Sequence, residues 1–261
     1  MSAILNPPYV PIPGIFLLLF EVMIEFNKSE WANAEFSQEY IENSDIYIVE
    51  RRRLLEILRS FYNHFINKKP NIRILDLGCG DGIITHELLK VNNSISATLI
   101  DGSEDMLNKA RKRLTGFNHT HFIKASFQEI IDKNLVQGNF DFIVSSLAIH
   151  HITMDEKEAL FRSIYSHLDT DGYFLNIDVV LAPTEALERW YLLLWKEWID
   201  ERKTLLKIEG NYFDEIIKRY KLAENKPDTL DAQIGALKFI GFKDVDCFYK
   251  YGIFTMYGGK K

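Results

Sequence analysis

Only two cysteines, Cys79 and Cys247, occur in 261 residues. They are too few and too far apart for a disulfide framework or a zinc site. Basic residues are outnumbered, 31 Lys and Arg against 37 Asp and Glu, a formal charge of −6. That balance disfavours a general nucleic-acid or anionic-membrane surface. There is no internal repeat and no low-complexity tract. A membrane-spanning run is also lacking. The most apolar stretch, Ile15-Phe16-Leu17-Leu18-Leu19-Phe20, lies in a segment interrupted by Glu21 and Glu25, whereas a span needs about 20 apolar residues. No basic residue precedes it, as a secretory signal would require. What is present is ordinary for a globular chain: 47% hydrophobic and 26% charged residues, enough for one large core or one core with a cap. The composition reads as a soluble, cytoplasmic enzyme.

The richest stretch is Ile74-Leu75-Asp76-Leu77-Gly78-Cys79-Gly80-Asp81-Gly82. Four residues of buried-strand character run into three glycines at alternate positions, and an apolar-periodic helix follows from Ile83. Glycine permits positive φ and lets a ligand approach the main chain. A strand, a glycine turn and a helix N-terminus form the binding corner of a doubly wound α/β sheet. A dinucleotide fingerprint requires Gly or Ala three residues after its second glycine; here that residue is Ile83. The pattern Asp-x-Gly-x-Gly-x-Gly instead resembles the first motif of class I S-adenosylmethionine (SAM) dependent methyltransferases, whose Rossmann-like core binds a ligand without phosphate.

The following segments extend that resemblance. Ile95–Ile100 reads as a second strand ending in Asp101, about 20 residues past the loop, where an acidic residue takes ribose hydroxyls. Ser103 is placed to cap the next helix. His121–Lys124 reads as a third strand, and Ser126 with Glu129 as a capping box. Phe140–Ser145 is the fourth strand, Thr153 with Glu156 caps another helix, and Tyr173–Val180 is the fifth strand after a turn at Asp171-Gly172. Asp228 or Thr229 starts a helix that Gly241 stops, and strands at 243–249 and 253–257 close the chain. Strands alternating with helices give a doubly wound, seven-stranded, mostly parallel sheet. The resemblance implies that the last strand inserts antiparallel.

Phe140 through His151 resembles the fourth-strand motif of the small-molecule branch of these enzymes. The resemblance implies SAM as cofactor and a small-molecule methyl acceptor. It places Asp76, Gly78, Cys79, Gly80, Asp101, Gly102, Met106 and Ser145 at the cofactor. Where the family carries an acidic residue for the adenine amino group, this chain reads Ala125-Ser126-Phe127. Ser126 is then left to accept one hydrogen bond and Phe127 to stack on adenine. Methyl transfer needs alignment more than a covalent intermediate. If the nucleophile carries a proton, a base is needed, and His150, His151 and Asp178 are candidates, His150 first. The alternatives are a protein or nucleic-acid methyltransferase, a non-methyl use of SAM, or a SAM-binding regulator without turnover. The oligomeric state is not legible.

Two segments lie outside this pattern. Residues 35–70 read as a helical lid, with Leu54, Leu55, Leu58, Phe61, Tyr62 and Phe65 on one stripe. Residues 183–228 read as an inserted helical cap, with Leu187, Trp190, Tyr191, Leu194, Trp195 and Trp198 at helical spacing, mostly core but placed to cover a flat substrate. Arg51-Arg52-Arg53 reads as a solvated helix face, with an anion clamp as the alternative. The resulting organisation is an extension at 1–34, the lid, a SAM-binding core at 71–182, the cap, and completion of the core by 229–261. In the extension, Asn6-Pro7-Pro8-Tyr9 spells a motif of amino-group methyltransferases, but no strand precedes it as that motif requires, and it reads as coincidental. Met23 offers an alternative start that would leave 1–22 as an upstream extension.

Overall fold

In a computed structural model, residues 29–133 and 135–261 are described; the Asn6–Tyr9 motif, the Ile15–Phe20 run and Met23 lie outside them. The apolar runs become seven strands: β1 (Arg73–Leu77), β2 (Ser96–Asp101), β3 (Thr120–Lys124), β4 (Phe140–Ser146), β5 (Leu168–Val179), β6 (Lys243–Tyr251) and β7 (Phe254–Lys260). Their order is β3-β2-β1-β4-β5-β7-β6. The first five pair in parallel, while β7 runs antiparallel to both β5 and β6. A right-handed crossover helix between parallel neighbours leaves both faces covered. β5 begins earlier than the sequence suggests. Asp171 takes φ +67 where a turn is expected, yet pairing with β4 continues back to Leu168 across a register shift.

On one face, Leu75, Ile143 and Phe174 of the sheet cluster with Ile130 of α6 (Phe127–Lys133), Phe161 of α7 (Met154–His167) and Leu237 of α10 (Leu230–Ile240). On the other, Leu58, Ile74, Leu88, Leu107 and Phe142 join α3 (Arg51–Phe61), α4 (Ile83–Val91) and α5 (Glu104–Arg113). The helix starts follow from their caps: Ser103, Thr153 and Thr229 each accept a main-chain N–H of the first turn, satisfying donors that have no partner within the helix.

The lid is not one helix. It breaks into α1 (Ala34–Glu42), α2 (Ser44–Tyr47) and α3, with Glu50 in the left-handed region at φ +46 between the last two. The cap is α8 (Glu185–Leu206) and α9 (Tyr212–Tyr220). The two segments clasp each other. Trp195 Nε1 donates to the Tyr47 carbonyl at 2.7 Å, and Trp198 Nε1 donates to that of Ile46 at 3.1 Å. Arg219 pairs with Glu39 and lies over the Phe36 ring, 3.8 Å from its centre. Trp195 and Trp198 of the α8 stripe thereby anchor the lid, while Trp190 stays 52% exposed.

Candidate active site

The glycine loop crosses the carboxyl ends of β1 and β4, and each glycine is needed for a different reason. Gly78, at φ +65, would put a Cβ 2.4 Å from Ala148 Cβ. Gly82, at φ +76, would put one 3.1 Å from Ala110 Cβ, between α4 and α5. Gly80, at φ +52, would meet no atom within 4 Å. Its open side belongs to a cavity of about 350 Å³ between the loop, the ends of the strands and the lid, within the size of small-ligand sites.

Asp101 organises the loop. Its two carboxylate oxygens accept the N–H groups of Gly80 and Ser103, each at 2.8 Å. Burial nevertheless pushes its carboxyl up to about 6, against these two bonds. The Cys79 N–H donates to the Ile100 carbonyl at 3.0 Å, fixing the loop to β2. Burial pushes the Cys79 thiol well up, so it fills space rather than reacts. Behind the loop, Asp76 Oδ2 accepts the Thr85 hydroxyl at 2.7 Å, while Oδ1 has no hydrogen-bond partner among the described residues. Burial, opposed by Thr85, raises the Asp76 carboxyl to about 7.

Raised acids hold protons in the folded state that the unfolded chain releases near its ordinary 3.8. In the ligand-free protein the Asp76 carboxyl therefore contributes stability that is complete below that value and is lost as pH rises towards about 7. The slope should approach ~1.4 kcal/mol per pH unit for each such group. Urea denaturation across this range checks it; Asp76→Asn should flatten the slope, and an unchanged slope would remove Asp76 as its source.

The structure brings most of the predicted cofactor residues together. Gly78, Cys79, Gly80, Asp101, Gly102, Met106, Ser126 and Phe127 all line the cavity. Asp76 and Ser145 do not. Ser145 is fully buried with its hydroxyl on the Leu77 carbonyl at 2.7 Å, and its neighbour Ser146 lines the cavity instead. Successive strand residues face opposite sides, so one position decides the matter. The Ser126 hydroxyl accepts the Glu129 N–H at 3.2 Å, which commits it to the cap of α6. The polar groups that sequence reasoning missed on this wall are Gln128 and Glu156, joined by a 2.8 Å hydrogen bond. On the lid side, Tyr40 and Arg51 line the cavity. Arg51 pairs with Asp45 at 2.6 Å, whereas Arg52 and Arg53 are the solvated residues expected of all three.

The two histidines part company. His151 lines the main cavity, and its Nδ1 is buried without a hydrogen-bond partner among the described residues. Burial first, then the nearby His150, pull its pKa well below the ordinary value. It stays neutral and is a poor proton acceptor, contrary to the unperturbed value assumed from sequence. His150 instead turns to Asp178, with Nδ1 and Oδ1 2.6 Å apart, and lines a smaller neighbouring cavity. No helix among the described residues is long and apolar enough to cross a membrane.

A family model for a methyltransferase domain matches residues 68–226. The chain is 27% identical over 199 residues to a carboxy-S-adenosyl-L-methionine synthase of Helicobacter pylori, covering 75% of this chain and 77% of the relative. A synthase of the same name from Nautilia profundicola is 25% identical over 207 residues, 78% of this chain and 80% of that one. Among solved structures, an O-methyltransferase family protein from Burkholderia thailandensis matches with a TM-score of 0.63 at 13% identity, over 90% of this chain. This chain spans 62% of the length of that protein. Magnesium protoporphyrin IX methyltransferase from Synechocystis, solved with bound S-adenosylhomocysteine (SAH), matches at a TM-score of 0.59 and 14% identity, covering 88% of this chain and 96% of that one. At such identities these structures share the fold.

Proposed function

The chain belongs to the methyltransferase-domain family, and from that premise we propose that it transfers the methyl group of SAM to a small molecule held between the glycine loop and the lid. The observation that carries this reading is the Gly80 cradle beside Asp101: open main chain on one side and a buried carboxylate on the other. Each Asp101 oxygen keeps a lone pair beyond its loop bond, suited to a ribose hydroxyl. Phe127 offers a flat face for the adenine ring, and Gln128 lines the same wall. When bound, SAM supplies an electrophilic methyl group with sulfur as leaving group. The chain's own part is to align the acceptor and to keep water out, which the lid and cap do by closing over the strand ends.

Asp101→Ala should weaken SAH binding by about 1.5–3 kcal/mol, the scale of hydrogen bonds to a charged group, as read by calorimetry. Unchanged affinity would remove Asp101 from the cofactor site. The activity itself is tested with SAM labelled in its methyl group and a cell extract. The expected outcome is label in a small organic product, with release of SAH.

One observation favours a second reading. The curated relatives are named for making a carboxylated SAM, and the Arg51 guanidinium on the cavity is a suitable partner for a carboxylate. In that case the same experiment yields no SAH, and SAM gains a carboxylate while keeping its label. A labelled protein or nucleic acid would overturn both readings.

A further inference from the structure

Two donors on the lid face the cavity with little to bond to. Tyr40, near the end of α1, and Arg51, the first residue of α3, both line it. The Tyr40 hydroxyl has no hydrogen-bond partner among the described residues, yet it is not among the sealed polar atoms. Its neighbour Tyr47, whose ring stacks 6.0 Å from that of Tyr40, makes the contrast. The Tyr47 hydroxyl donates to Glu39 at 2.8 Å and lies 3.4 Å from Glu215. A phenol held against apolar walls costs stability when its O–H goes unmatched. The acceptor that Tyr40 lacks must come from the cavity. Burial raises its phenol, opposed by the nearby Arg51 charge and reinforced by Asp178. The proton therefore stays on, and the oxygen acts as a donor.

Arg51 commits one N–H to Asp45, at 2.6 Å. The rest of its guanidinium fork has no partner among the described residues. Asp45 is 67% exposed, and an ion pair at such a site is weak and leaves the fork able to take a second anion. The acids nearest the cavity centre are engaged elsewhere. Asp178 accepts the main-chain N–H groups of His150 and Val179, and Asp81 pairs with Arg113. Around the two donors the lid contributes Ile41, Ile48, Leu54 and Leu55, an apolar rim in which a charge-assisted hydrogen bond is stronger than in water.

We propose that Tyr40 and Arg51 together form an oxyanion site on the lid that holds a carboxylate of the bound cofactor. A planar carboxylate has two oxygens, one for the guanidinium fork and one for the phenol. The proposal rests on the reading that this cavity holds SAM, and it names the groups that read the ligand's negative charge. SAM carries a carboxylate at its amino-acid end, and a carboxylated SAM carries a second at the methyl carbon. Either one ties α1 and α3 to the ligand, which couples closure of the lid to occupancy of the glycine loop.

The test is calorimetry on the full-length protein with two ligand pairs. One pair is SAH and 5′-(3-aminopropylthio)adenosine, which is SAH without its carboxylate. The other is carboxy-SAM and SAM. In the wild type at least one of these carboxylates should strengthen binding by about 10- to 100-fold, the range of hydrogen bonds to a charged group. A gain in the first pair assigns the site to the amino-acid end, and a gain in the second to the methyl end. Tyr40→Phe and Arg51→Met should each cut that gain by about fivefold or more, while the ligand lacking the carboxylate keeps its affinity within about twofold. An equal fall for both members of the pair would mark a purely structural role in the lid and overturn the proposal. No gain in the wild type, or a full gain retained in either variant, would overturn it with the cofactor reading intact. Failure of the wild type to bind SAH would overturn both.

Discussion

Gly80→Val should abolish SAH binding, a loss of at least about 100-fold by calorimetry, in a protein that still folds. A Cβ at Gly80 meets no atom within 4 Å, so the fold offers no steric objection. What opposes the side chain in the free protein is the backbone, at φ +52, which costs an L-residue about 1–2 kcal/mol and a β-branched one somewhat more. For a chain of this size that is a fall in Tm of about 5 °C. The methyl groups of valine would then stand in the cavity, where the reading given above puts the ligand. Gly78→Ala makes the contrast, because its Cβ falls 2.4 Å from Ala148 Cβ and the packing of the loop on β4 must give way. Its loss should appear in stability as well as in binding. A Gly80→Val protein that folds and binds SAH at wild-type strength would move the cofactor off the loop.

The parts of this molecule legible in the sequence are those set by neighbours along the chain. The glycine loop, Asp101 at the end of β2, the capping boxes at Ser126 and Thr153 and the stop at Gly241 all depend on spacings of a few residues. The hydrogen bonds of the two capping boxes and of the stop at Gly241 are present as expected. The mostly parallel sheet followed from alternation of strands and helices, and the antiparallel insertion of the last strand from the family resemblance. What was not legible depends on contacts between distant segments. His150 and His151 are adjacent, and only Asp178, 28 residues on, separates a hydrogen-bonded imidazole from a neutral one. Ser145 and Ser146 differ by the pleat of one strand. Arg51 differs from Arg52 and Arg53 because successive residues of α3 point about 100° apart, and of the three only Arg51 lines the cavity. The stripe of α8 was recognised as apolar, but its partner, the carbonyls of Ile46 and Tyr47, lies about 150 residues earlier, beyond any periodicity argument.

Lys157→Met should destabilise the protein by about 3 kcal/mol, lowering Tm by about 10 °C, with SAH affinity reduced less than stability. Lys157 belongs to the inner face of α7, and its side chain is 0% exposed. A buried lysine is tolerated only where its three donors are met. Here Nζ donates at 2.6 Å to the Ile152 carbonyl, the Lys226 carbonyl and Asp228 Oδ2. Two of these acceptors lie where the chain returns from the cap to α10, and the Lys226 N–H donates to the His150 carbonyl at 2.7 Å. The ammonium thus ties the exit of the cap to the segment between β4 and α7, which carries both histidines. Methionine fills similar volume without a donor, so two carbonyls lose their partner in a site closed to water. Asp228, 29% exposed, can rehydrate, which keeps the loss at the lower end for a broken buried pair. Because the clamp lies beneath the cap and not on the glycine loop, chemical denaturation should show the whole effect, while calorimetry with SAH shows only what the histidine segment transmits. Wild-type stability in Lys157→Met would mean that the ammonium's three bonds merely offset the cost of burying it.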